Sequence, residues 1–138
     1  MQLTRPVSLA VLAVLLVSAC KSSNDKLAES AARGNAVYKQ YKTSDYQTAK
    51  AALLDYIKFL DQATASDPKF ANMNNEDALL SYLRLAKLEQ NNNGSDEARY
   101  MAEAISRCEK GPIKDKGNGC SASALRAMVD KVDAIPAK

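Results

Sequence analysis

The 138-residue chain has no histidine and no tryptophan. Without imidazole there is no histidine base, no serine–histidine dyad and no histidine ligand for a metal. None of its three cysteines forms a C-x-x-C pair, so the usual thiolate frame for zinc is missing. No G-x-G-x-x-G, P-loop or G-x-S-x-G motif occurs. Charge of one sign is also scarce. Nineteen basic residues against sixteen acidic ones leave +3, and the signs are interspersed. No basic stripe for nucleic acid results. No strand-like alternation persists. The longest apolar run, Val7 to Val17 broken by Ser8, falls short of the roughly 20 residues a membrane-spanning helix needs.

The acidic residues do not assemble a reaction either. Asp45, Glu76-Asp77, Asp96-Glu97 and Asp130-Asp133 are the candidate clusters, and most are expected at helix starts, where the macrodipole favours negative charge. "NNNGSDE" has oxygen ligands, but not at the spacing of a calcium loop. No catalytic residue, metal site, cofactor or small-molecule substrate is assigned, and the chain is read as non-enzymatic.

What is present begins with an address. A basic start at Arg5, the apolar run, and small residues at Ser18 and Ala19 have the layout of a secretory signal. "VSAC", ending at Cys20, resembles the bacterial lipobox. That resemblance implies a diacylglyceryl group on the Cys20 sulfur, removal of residues 1–19, and an acylated amine. Two or more acyl chains hold a protein stably where one does not. Residues 20–26, with the polar "KSSNDK", read as the lipidated tether. Lys21 after the cysteine, in place of Asp, favours the periplasmic face of the outer membrane over the inner membrane. In an oxidising compartment Cys108 and Cys120 are expected to pair across "EKGPIKDKGNG". One cysteine lipidated and two bridged leave no thiol over.

Residues 27–138 read as one all-α domain of about five helices. The first runs from about Leu27 to Lys42 with Leu27, Ala31, Gly34, Tyr38 and Tyr41 on one stripe. Ser44 or Asp45 can cap the second, whose stripe is Tyr46, Ala49, Leu53, Ile57 and Leu60. "TASDPKFANMNN" reads as a longer loop, since Pro68 forbids continuation and Asn and Asp favour turns. A third helix is expected from Asn74 or Asn75, with Leu79, Tyr82, Leu83 and Ala86 inward, ended by a left-handed Gly94. Ser95 would cap a fourth, with Ala98, Met101, Ile105 and Cys108 inward. A fifth carries Ala122, Leu125, Val129 and Val132. Short connections favour antiparallel neighbours.

The two hairpins resemble the tetratricopeptide repeat (TPR). Gly34 stands at that repeat's small position, and Tyr46 and Ala49 match its Tyr and Ala at the start of the second helix. In the second unit Tyr82, Leu85, Ala86 and Ala98 match its large, apolar, small and small positions. Tyr56 stands where the family keeps a small residue, and Ala102 where it has an aromatic. The resemblance implies two antiparallel TPR-like hairpins with a C-terminal capping helix. It also implies a concave groove lined by the first helix of each pair, faced by Asn35, Tyr38, Lys39, Lys87 and Gln90. A groove of that kind suits a peptide or a partner's tail.

Together these readings describe a membrane-anchored adaptor that binds a partner protein, related to assembly or secretion. The alternative is an immunity lipoprotein that neutralises a toxin acting in the periplasm. The address is directly testable. Cys20→Ala is expected to give an unprocessed or soluble product, and continued membrane fractionation with lipid labelling would refute the lipobox.

Overall fold

A computed structural model describes residues 21–115 and 119–136. The expected signal segment 1–19 and the expected lipidation site Cys20 lie outside the described residues. The described chain is all-helical: α1 (Ser23–Thr43), α2 (Tyr46–Ser66), α3 (Ala71–Asn91), α4 (Glu97–Lys110) and α5 (Ala122–Asp133), with short 3₁₀ turns at Pro68–Phe70 and Pro112–Asp115. Each of the first four helices packs on the next, and α5 lies across α3 and α4. The first two connections are too short for anything but helical hairpins.

Three boundaries differ from expectation, each for a local reason. Helix α1 starts at Ser23, inside the segment read as tether, because Ser22 and Asp25 form a reciprocal capping box. Helix α3 starts at Ala71, so the expected loop before Asn74 is mostly helical. Pro68 opens a 3₁₀ turn, where its missing N–H costs nothing, and the turn runs into α3. The Asn run that signalled a loop is held by tertiary bonds instead. Asn74 donates to the Thr64 hydroxyl at 3.0 Å and Asn75 to the Arg107 carbonyl at 2.8 Å. At the α3–α4 turn the left-handed residue is Asn93 (φ 53°), not Gly94, and Asp96 rather than Ser95 precedes α4. Asp45 is the residue that caps α2, accepting from the Thr48 amide at 3.0 Å.

The core is built on α2 and α3. Leu53, Leu60, Leu79, Leu83, Leu85 and Leu125 are fully buried, with Ile57, Tyr100, Met101, Ala104, Cys108 and Val129 completing it. Ala98, expected inward, is exposed, and Tyr100 takes the inward place on α4. Helix α1 is the least embedded: Leu27 and Ala31 are exposed, and only Ser30 is fully covered. Its packing on α2 depends on Gly34. A Cβ there would sit 2.9 Å from the Tyr56 hydroxyl. The large Tyr56 thus faces the missing side chain of Gly34, so the small partner of this crossing is on α1. Cys108 and Cys120 are disulfide-bonded, with Cα atoms 5.7 Å apart. The bond ties the last turn of α4 to the residue before the α5 cap, Ser121. A bridge over such a loop adds about 3 kcal/mol by restricting the unfolded chain.

One buried charge joins the hairpins. Glu89 on α3 is 1% exposed. Its Oε1 accepts from the Tyr46 hydroxyl at 2.6 Å and pairs with Lys50 at 2.7 Å, both on α2. Its Oε2 accepts from the Asp96 amide at 3.0 Å, and its carbonyl from the Gly94 amide at 2.8 Å. Lys50 also reaches Asp96 at 3.2 Å. A Cβ on Gly94 would collide with the Glu89 carboxylate, so the glycine makes room for the charge. Burial raises the Glu89 pKa. Lys50, the Tyr46 hydroxyl and the Asp96 amide outweigh that and hold it down, at about 2.

Because folding favours the Glu89 carboxylate, its contribution is full above the ordinary value of 4.5 and is lost as pH falls toward about 2. Chemical denaturation across this window should show stability falling with acid in the wild type. Glu89→Gln should lack that part of the slope and be less stable at neutral pH by about 3 kcal/mol. An unchanged slope in the variant would exclude Glu89 as its source.

Candidate functional site

A concavity of about 1060 Å³ lies between α1, α3 and the end of α5. Its floor is polar. The Arg84 guanidinium donates to Asp133 Oδ1 through Nε at 3.0 Å and Nη2 at 2.9 Å. Both side chains are largely buried, at 14% and 4% exposed. The guanidinium also lies 4.5 Å from the centroid of the Tyr38 ring and 5.6 Å from that of Tyr41. These are cation–π distances. The Tyr38 hydroxyl donates to the Asp133 carbonyl at 3.4 Å. Burial and the facing Asp133 carboxylate push the Tyr41 phenol well above its ordinary value, so it stays protonated.

Deeper in, the Tyr56 hydroxyl donates to Asp77 at 3.3 Å. Burial raises the Tyr56 phenol to about 12, with the Asp77 charge adding to it. Burial raises the Asp77 carboxyl as well. Apolar surface comes from Val37, Leu80 and Val132, and from Ile135, which is 65% exposed. On the α1 rim, Lys39 and Lys42 are exposed and make no ion pair among the described residues.

The expected groove residues divide. Asn35, Tyr38 and Lys39 line this groove. Lys87 and Gln90 line a smaller cleft of about 140 Å³ between α3, α4 and α5. There Lys87 pairs with Asp130 at 2.6 Å. Helix α5 packs on α3 and contributes residues to both hollows.

Arg84, Asp133, Asp77, Lys42 and Ile135 were not singled out as groove residues from the sequence. Asp133 carried a usable signal. An acid in the last turn of a helix opposes the macrodipole, and such a conflict calls for a tertiary cation. Arg84 carried another, as a lone guanidinium amid the apolar "YLRLA". The other acids have structural partners: Asp96 meets Lys50 and Arg99, and Glu97 meets Arg126. No group of three or more metal-ligating side chains gathers among the described residues. The arrangement suits holding an extended ligand by stacking, apolar contact and rim charge.

No family model, curated protein or solved structure matches the chain.

The floor pair is the groove's testable element. Arg84→Met strands a buried carboxylate and should destabilise the fold by on the order of 3 kcal/mol. Asp133→Asn should cost less, and the double variant less than the sum of the two. Additive losses in denaturant titrations would show that the pair is not coupled.

Proposed function

We propose that the chain is a lipid-anchored, non-enzymatic adaptor of the bacterial envelope that holds an extended segment of a partner protein in the α1–α3–α5 groove. The observation that carries this reading is the groove itself. Its volume is at the upper end for small-molecule sites, and it opens to solvent rather than being an enclosed cavity. Tyr38 and Ile135 offer apolar contact, and Lys39 and Lys42 offer two positive charges that have no ion pair among the described residues. A segment with acidic residues beside apolar ones is complementary to that lining.

Further support comes from the helices that line it. They are the first members of the two hairpins, α1 and α3, as a TPR-like pairing implies. The fifth helix closes one side, in the place of a cap. The lipobox at "VSAC" supplies the anchor, and the outer membrane's periplasmic face is the site proposed for it.

A photo-crosslinker placed at Asn35 or Ile135 in cells should trap one partner, and the same group at Gln47 or Lys131 should not. Lys39→Glu with Lys42→Glu should weaken binding of that partner roughly tenfold at low salt, and less at high salt. Crosslinking independent of position, or binding unchanged by the double reversal, would remove the groove from the reading.

A further inference from the structure

A second hollow lies at the opposite end of α1. It is an apolar cleft of about 170 Å³ between the first turns of α1, the last turns of α2 and the Pro68–Phe70 turn. Leu27, Phe59, Phe70 and Met73 give it its character. Leu27, on its rim, is 38% exposed. The stems of Lys21 and Lys26 run along the cleft. Their side chains stay about half exposed, at 54% and 42%, and Lys69 beside them is 53% exposed. Asp67 is shared between Lys26 at 3.1 Å and Lys69 at 3.5 Å. Glu29 on the same rim pairs with Lys21 at 2.7 Å, so the edge carries three ammonium groups against two carboxylates. Apolar side chains inside with such a predominantly cationic edge form the pattern by which side chains meet a water–lipid interface.

Position along the chain selects the occupant. The capping box at Ser22 makes the chain helical from Ser23. Only Lys21 and Ser22 stand between Cys20 and a rigid helix. Even fully extended, that link reaches about 10 Å. The end of the molecule that carries the cleft is therefore held at the surface of whatever membrane holds the Cys20 lipid. Lys42, on the groove rim, stands 19 residues further along the same helix, about 28 Å away.

We infer that this end, formed by the start of α1 and the Pro68–Phe70 turn, is a membrane-contact surface seated among phospholipid headgroups, which holds the partner groove clear of the bilayer. Leu27 and Phe70 enter the interface, and Lys21, Lys26 and Lys69 meet the phosphates. The inference rests on the lipid-anchor reading above, and one experiment separates the two.

With Cys20 acylated and Cys108–Cys120 bridged, a single added cysteine is the only thiol available for a nitroxide label. The full-length lipidated protein, carrying Leu27→Cys, Lys69→Cys or Lys42→Cys, is reconstituted in vesicles of phosphatidylethanolamine and phosphatidylglycerol. Collision of the label with a water-soluble nickel chelate and with oxygen is then measured. Relative to the same protein in detergent-free solution after removal of its acyl chains, the label at 27 should lose nickel contact severalfold and gain oxygen contact. The label at 69 should report the headgroup layer, and the label at 42 should stay water-like. A label at 27 as water-exposed as that at 42, in protein that floats with the vesicles and has the acyl mass on Cys20, overturns the contact surface alone. A mature chain without acyl mass overturns both readings.

Discussion

The buried carboxylate of Glu89 is the constraint around which the rest is arranged. It belongs to α3, but its partners are the Tyr46 hydroxyl and Lys50 ammonium of α2 and the Asp96 amide at the entrance to α4. One group therefore fixes how the first hairpin lies on the second and how the second turns. A buried ion pair stabilises only when its remaining hydrogen-bonding capacity is filled, and here both oxygens are occupied. The requirement spreads outward. Gly94 must lack a Cβ, and the left-handed position shifts to Asn93. The N-terminus of α4 gives up a side-chain cap so that the Asp96 amide can reach Glu89.

That dependence explains which parts of the fold were legible from sequence. The five helices and their order follow from apolar periodicity, and the disulfide from the number and spacing of the cysteines. The errors fall where a tertiary partner outweighs a local signal. Asn74 and Asn75 read as turn formers because nothing nearby in sequence satisfies them, yet Thr64 and the Arg107 carbonyl do. Gly94 was noticed as a glycine, but its reason is a carboxylate five residues earlier rather than its own backbone angle. Ala98 fits a helical stripe with Met101, Ile105 and Cys108, but the buried face of α4 is centred on Tyr100, Met101, Ala104 and Cys108 and leaves Ala98 exposed.

The groove was legible only along α1. Asn35, Tyr38 and Lys39 share a face there because helical spacing alone groups them. Lys87 and Gln90 share α3 with the groove floor but line the smaller cleft, and no periodicity within α3 shows where another helix will pack on it. The floor pair joins residues 49 positions apart. Each is locally unfavourable, an arginine in an apolar stretch and an aspartate at a helix C-terminus, and each answers the other. Where two such misfits occur in one small domain, pairing them is a reasonable first hypothesis about its tertiary structure.

The Cys108–Cys120 bond bears on one wall of the groove more than on the scaffold. The two hairpins are held by apolar contacts and the Glu89 knot, none of which requires a cysteine. Helix α5 is different: it is short, packs mainly on α3 and α4, and is fastened at its start by the bridge. Its far end supplies Asp133 and Ile135, the third wall of the groove. Without the bridge that wall would be held by packing and by the Arg84, Tyr38 and Lys87 contacts to α5. Closing the bridge therefore fastens the start of α5 and, through that short helix, the third wall of the groove.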